Sequence, residues 1–266
     1  MKISSAIVGR EAGPDQQHID KRWLMAYNAA LGEVSDQPHP LFPVCYEWPT
    51  TQALRKSTGL QEINARLVHA QHDLTLHRPL REEKLQVRGR VVACLQRKPG
   101  TLVVFRFDAQ DEKGEAVSTS RYGMLYRGVM LEGGDRTTAE VNDPPGDEQA
   151  LKQIGEIRVA ATAGHVYTEC ARIWNPIHTD PEYARAAGLP GIILHGTATL
   201  ALSVSKVLEK LGIEVRRVRC RFAGMVLMPG TLTVHASRHL SAAGDEILFE
   251  TRDEKGRAVI ERGRIG

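Results

Sequence analysis

Between Gly196 and Leu211 the apolar residues Ala198, Leu200, Ala201, Leu202, Val204, Val207, Leu208 and Leu211 fill most of a helical circumference. A helix that is apolar on nearly every side has to be buried, and Gly212 stands where its C-terminal cap belongs. Four runs of alternating residues follow: Val215 to Phe222, Thr231 to Ser237, Glu246 to Arg252 and Ala258 to Ile265. A period of two predicts strands. Both patterns are satisfied by an antiparallel sheet wrapped around one long helix, an α+β arrangement.

The first half of the chain repeats the plan. A helix is predicted over Tyr46 to Lys56, with an extra one before it at Lys21 to Leu31. Strands are predicted at Ala65 to Thr75, Lys84 to Leu95, Thr101 to Ala109 and Ala116 to Tyr126. Asp111-Glu112-Lys113-Gly114 on this side matches Asp253-Glu254-Lys255-Gly256 on the other. Each copy is the turn of a hairpin, with glycine where a positive φ is needed. The spacing from His72 to Pro79 is shared by Phe222 to Pro229, which extends the parallel to a duplicated unit. The segment from Glu132 to Asp147, rich in Gly, Pro and Asp and without apolar periodicity, separates the copies. The predicted organisation is a first domain over 1–130, a linker over 131–149 and a second domain over 150–266.

Composition agrees with two small domains, since 266 residues at 42% hydrophobic content hold two modest cores. The 35 basic and 32 acidic residues leave a formal charge of only +3, which argues against nucleic acid as a partner. Cys45, Cys94, Cys170 and Cys220 lie far apart with no C-x-x-C pair, so neither a disulfide framework nor a metal site is expected. Free thiols of this kind fit a reducing compartment. Met1 to Ala6 lacks the apolar core of a signal peptide, and no apolar run reaches the ~18 residues of a membrane span. The expectation is a soluble cytoplasmic protein without a membrane partner.

Candidate chemistry gathers in the second half. Asn175-Pro176-Ile177-His178, then Asp180-Pro181, Ala184, Gly188 and His195-Gly196, resembles the motif of the MaoC-like, R-specific enoyl-CoA hydratase family, here in a member with two hotdog domains in tandem. Arg221-Phe222, Val226, Pro229-Gly230 and Leu232 resemble the strand and turn that follow the family's central helix, and the N-terminal half resembles its degenerate first hotdog. The resemblance implies addition of water to a trans-2-enoyl-CoA, giving the (3R)-3-hydroxyacyl-CoA, or the reverse dehydration. It implies no cofactor beyond the coenzyme A of the substrate. In the family an Asp and a His hold the water. The His falls on His178, whereas the Asp position, two residues before the Asn, is Ile173.

His178 is therefore the candidate base, since an imidazole titrates near neutrality. Asn175 either orients the water or holds the loop ahead of Pro176. Glu169 is the nearest upstream carboxylate and replaces the missing Asp if the loop turns it inward; otherwise it is a solvated residue at a strand end. Asp180 is placed to cap a short helix over Glu182 to Ala187, and counts also among the substrate-binding candidates. Gly196 opens the buried helix, where free N–H groups suit a developing thioester oxyanion. His195 orients the loop beside it. Arg217, Arg219 and Arg221 share one face of a strand, and either meet coenzyme A phosphates or make salt bridges. The alternatives are a hotdog thioesterase, with Glu169 directing water at the carbonyl, and a protein that binds an acyl thioester without turning it over. A monomer and a homodimer of such chains are both compatible with the sequence.

Overall fold

Met1–Ile19 and Tyr46–Asp143 form one compact unit, and Asp20–Cys45 and Pro144–Gly266 form another, so the chain is not divided by a single cut. This computed structural model describes residues 1–138, 141, 149–241 and 244–266; the rest of the predicted linker, 139–140 and 142–148, lies outside the described residues. The segment that changes sides carries α1 (Lys21–Ala30), the extra helix expected from the sequence. Asp20 caps it, accepting from the Trp23 N–H at 2.8 Å. Its inner face buries Trp23, Leu24, Tyr27 and Asn28, with Trp23 and Tyr27 edge-on to Phe42 of the same segment. The same helix packs on α3 (Ala163–Ala171), which ties it to the second unit.

In the first unit the antiparallel sheet runs β2–β4–β5–β6–β3. Its strands are β2 (Glu11–Ile19), β3 (Leu67–Leu76), β4 (Glu83–Arg97), β5 (Gly100–Asp111) and β6 (Ala116–Arg127). Short β1 (Lys2–Ser4) pairs in parallel with β7 (Met130–Glu132), and β8 (Arg136–Thr137) pairs antiparallel with β4. Part of the stretch read as linker thus takes strand form, pinned where the Leu131 N–H donates to Gln96 Oε1 and the Gln96 N–H donates to Asp135, each at 2.7 Å. Along β4 the alternation is clear: Leu85, Val87 and Val91 are buried while Gln86, Arg88 and Arg90 are exposed. The long helix is α2 (Pro43–Ser57), and it turns a carboxyl inward. Glu47 is fully buried and accepts from Ser120 Oγ at 2.6 Å and from the Tyr122 hydroxyl.

The second unit has the order β10–β13–β12–β11–β9. Here β9 is Lys152–Val159, β10 Arg217–Phe222, β11 Gly230–Ser241, β12 Gly244–Arg252 and β13 Ala258–Ile265, with α4 (Pro181–Ala186) and α5 (Gly196–Leu211) completing it. As the apolar pattern requires, α5 buries Ala198, Thr199, Leu200, Ala201, Ser203, Val204 and Val207. Each fully buried Leu or Val contributes about 1.5–3 kcal/mol, so a charge at Val204 is expected to unfold this unit. Gly212 caps the helix at φ 55°.

The duplicated turns are equivalent down to their hydrogen bonds. Asp111 Oδ1 accepts from the Lys113 and Glu115 N–H groups at 2.9 and 3.0 Å, and Asp253 Oδ1 from those of Lys255 and Arg257 at 2.9 Å each. Gly114 and Gly256 take φ 81° and 73°. Besides the short β1, β7 and β8, two longer strands among the described residues escape the sequence reading, β2 and β9. Both are edge strands of their unit's sheet, mostly solvated, so neither shows a full alternating face. Among the described residues no helix is long and apolar enough to cross a membrane, and none of the four cysteines is joined in a disulfide.

Candidate functional site

Backbone from α3, from the loop 172–180 and from the strip 193–195 converges in the second unit. Gly164 in α3 permits the approach: a Cβ there would lie 2.5 Å from the His178 carbonyl oxygen and 2.7 Å from Met228 Cε. α3 ends at Arg172, in the left-handed conformation at φ 59°. That residue's guanidinium lies 4.0 Å from the centre of the Trp23 ring, whose Nε1–H donates to the Cys170 carbonyl at 3.0 Å. The loop is then turned by Asn175, whose Oδ1 accepts from the Ile177 N–H at 3.4 Å and caps the 3-10 turn Pro176–His178. Asp180 accepts from the Glu182 and Tyr183 N–H groups at 2.8 and 3.0 Å, the helix-capping role expected of it.

This turn delivers His178 against His195. The rings stack with centroids 3.6 Å apart and planes 24° from parallel. His178 is 8% exposed and His195 is 2% exposed. His178 Nδ1 lies 2.7 Å from the Ile193 carbonyl oxygen, which can only accept, so Nδ1 carries the proton and Nε2 the lone pair. His195 Nε2 lies 3.3 Å from the Ile173 carbonyl and 3.3 Å from Thr168 Oγ1. By the same reasoning it is protonated on Nε2, and its Nδ1 meets no hydrogen-bonding partner among the described residues. Burial holds the His178 imidazolium down to about 4 and that of His195 well below its usual value, the neighbouring ring adding to the second effect. Both rings are neutral at neutral pH.

His195 is also the residue before α5, and no side chain caps that helix start. Gly196 leads it, and a Cβ there would touch the Phe222 ring at 3.4 Å. The first turn therefore presents backbone N–H groups beside the imidazole pair. Tyr167 closes the inner side, its ring 4.9 Å from His195 and its hydroxyl donating to Thr197 Oγ1 at 3.2 Å.

Other candidates lie elsewhere. Glu169 is exposed on α3 rather than at a strand end; one residue earlier on the same helix, Thr168 is buried and is the one that meets His195. Ile173 is buried and presents its carbonyl to His195. The arginines share one face of β10, but Arg219 pairs with Glu246 at 3.0 Å and Arg221 with Glu261 at 3.6 Å, while Arg217 is exposed. Phosphate binding by Arg219 and Arg221 has to compete with these carboxylates. Thr168, Gly164, Tyr167 and Trp23 were not singled out by sequence; the signal available was the spacing of Gly164, Tyr167 and Thr168 along one helix face. Among the described residues no cluster of His, Cys, Asp and Glu has the makings of a metal site. A cleft of about 550 Å³ lies on the first unit, lined by His77, Arg88, Arg90, Arg106 and Asp108 among others. Asp108 already engages Arg106 at 2.7 Å and Arg90 at 3.7 Å there.

Residues 148–257 match the family model of a MaoC like domain. The mouse peroxisomal multifunctional enzyme type 2 is 26% identical over 229 residues, 80% of this chain but only 29% of that protein, so the chain spans less than a third of that relative. The peroxisomal enoyl-CoA hydratase 2 of Arabidopsis thaliana is 26% identical over 217 residues, 75% of this chain and 67% of that protein. A MaoC-like dehydratase structure from Phytophthora capsici superimposes with a TM-score of 0.83 at 18% identity, covering 97% of this chain and 96% of the other. A Mycobacterium tuberculosis protein described as a double hotdog fold gives 0.64 at 15% identity, covering 97% and 95%. The fold is thus α+β and of the hotdog type in both units.

Proposed function

We propose, from the premise that residues 148–257 form a MaoC-like domain, that this chain adds water to a trans-2-enoyl-CoA to give the (3R)-3-hydroxyacyl-CoA, or catalyses the reverse dehydration. The observation that carries the reading is the neutral His178, with Nδ1–H committed to the Ile193 carbonyl and Nε2 left as an acceptor, stacked on the residue that opens α5. A base of this kind takes a proton from water as the water oxygen bonds to C3. Charge then grows on the thioester oxygen, and the N–H of Gly196, at the positive end of α5, is placed to receive it. Asn175 holds the turn that aims His178. Relatives named as hydratases at 26% identity support the reaction class. Coenzyme A enters as part of the substrate, and four cysteines with no disulfide among them fit a reducing, cytoplasmic location.

Incubation with crotonyl-CoA tests the proposal. Loss of the conjugated enoyl absorbance without release of free thiol is the expected result. Thiol release in its place would establish hydrolysis, and acyl-CoA binding with neither signal would establish a binding protein.

A further inference from the structure

Two residues before Asn175 the chain has the buried, apolar Ile173, yet the space against one face of the His178 ring is not left to it. It is filled by a second imidazole. Two lone pairs are therefore available in one stack, His178 Nε2 and His195 Nδ1, each fixed by a carbonyl oxygen that claims the proton on the opposite ring nitrogen. His195 Nδ1 belongs to a side chain only 2% exposed and has no partner among the described residues. A buried acceptor left unmet costs about 1–3 kcal/mol, and a water donating to it removes that cost. With ring centroids 3.6 Å apart, the two lone pairs belong to rings in van der Waals contact, and one water molecule can donate to two acceptors at once.

We infer that His195 stands in for the missing carboxylate: the reacting water donates one O–H to His178 Nε2 and the other to His195 Nδ1. The inference rests on the hydratase reading for the word reacting. As the water oxygen bonds to C3, one of its O–H bonds breaks and the proton passes to an imidazole nitrogen. The π pair of C2=C3 moves to C2 and the thioester oxygen. The proton then passes from the imidazolium to C2, both rings return to neutral, and the net change is addition of one water with no further reactant. The pair accepts one proton at a time, since a second would place two cations in van der Waals contact.

Two substitutions separate this role from packing. In His195→Gln the amide N–H reaches the place of Nε2–H and keeps the donor to Ile173, but no acceptor stands at the Nδ1 position. In His195→Asn an acceptor stands at the Nδ1 position and the donor to Ile173 is lost. With both variants shown folded by thermal melt, His195→Gln is expected to lower kcat on crotonyl-CoA about 100-fold, with KM changed less than about threefold. His195→Asn is expected to stay within about tenfold of the starting enzyme. Adding Ile173→Asp to His195→Gln is expected to restore at least about tenfold, by returning a carboxylate to the site. The opposite order, with Gln mild and Asn severe, would assign His195 a purely structural role and overturn the inference. A high-resolution crystal structure supplies the readout that does not depend on activity. A water within hydrogen-bond distance of both nitrogens in the starting protein, and absent from His195→Gln, supports the inference. Two nitrogens that share no water overturn it. A protein that holds this water but hydrates no enoyl-CoA overturns the hydratase reading and keeps the water site.

Discussion

Each unit buries ionisable groups against its long helix, and burial drives them to neutrality from opposite sides. Desolvation pushes Glu47 on α2 up to about 8, against the lowering effect of the Ser120 and Tyr122 hydrogen bonds, while it pulls His178, next to the start of α5, down to about 4. What differs is what remains unused. Both Glu47 oxygens are engaged by hydroxyls, whereas the His178–His195 stack keeps lone pairs on two nitrogens. Neutralisation by burial is common to both units, and the proposed chemistry needs acceptors left over beside a second electrophilic device, here a helix start with no side-chain cap. His72 shows why both conditions are needed. It is 1% exposed with neither ring nitrogen bonded to a described residue, yet it simply stacks on Tyr122 with centroids 5.0 Å apart.

Activity breaks or sharpens that contrast most strongly. Removing the proposed base by His178→Ala is expected to lower enoyl-CoA hydration by roughly 100- to 10,000-fold, with the fold retained in a thermal melt. Glu47→Gln, which replaces a neutral buried carboxyl by a neutral amide of the same shape, is expected to leave kcat within about twofold. Equal losses in both variants would erase the distinction between the units.

Stability against pH gives the next effect, and its sign differs between the two sites. Glu47 titrates above its ordinary 4.5, so the folded state holds a proton that the unfolded chain releases. Its contribution is complete below about 4.5 and is lost as pH rises towards 8. The slope reaches at most about 1.4 kcal/mol per pH unit. His178 titrates below its ordinary 6.5, so its contribution is complete above that value and is lost as pH falls through 4. Chemical denaturation of Glu47→Gln at a series of pH values is expected to show a flatter decline between pH 5 and 8, with the acid-side loss unchanged. His69 and His72, both held to about 3 in the first unit, share that acid-side loss, which is why the variant rather than the raw profile isolates Glu47. An unaltered decline would mean that Glu47 is ionised in the folded protein.

The parts of this contrast that the sequence reveals are those written in local periodicity. α5 occupies Gly196–Leu211 and β13 Ala258–Ile265, both at the predicted bounds, because apolar spacing and a glycine cap state them directly. α3 is hidden: Val166, Tyr167 and Thr168 favour strands intrinsically, and the helix is held by Gly164 against the His178 backbone and by packing on α1. That one misreading carried the site error with it. On a helix, consecutive residues point about 100° apart, so Thr168 turns to His195 and Glu169 turns to solvent. The motif from Asn175 to His178 and the His195-Gly196 pair were visible, but their stacking was not, since it depends on how the 193–195 strip is anchored, with the Leu194 N–H donating to Val226 at 2.8 Å. Salt bridges were one of the two readings open for Arg219 and Arg221, but their partners could not be named, because Glu246 and Glu261 lie on other strands of the sheet.

Core packing gives the smallest expected effect and the most direct comparison of the two copies. Phe107 and Phe249 hold the same place relative to the duplicated turns, one on β5 and one on β12. Each ring lies over a glycine, but on different sides: Gly89 faces Phe107 from the preceding strand β4, and Gly263 faces Phe249 from the following strand β13. A Cβ at Gly263 would come within 2.5 Å of the Phe249 ring, whose atoms are its three nearest neighbours. A Cβ at Gly89 would meet both the Phe107 ring and Thr50 Cγ2 at 2.9 Å, and Thr50 sits on α2. Overpacking of this kind costs about 1–3 kcal/mol. Gly89→Ala is expected to shift α2 as well as Phe107, because two neighbours have to give way, and so to perturb the first unit's helix, whereas Gly263→Ala moves one ring on a sheet. Denaturant midpoints measure the cost. If the Gly263→Ala variant keeps its hydration rate while losing stability, the sheet of the second unit tolerates strain that its site does not feel; a matching loss of rate would show that Phe249 and the imidazole stack move together.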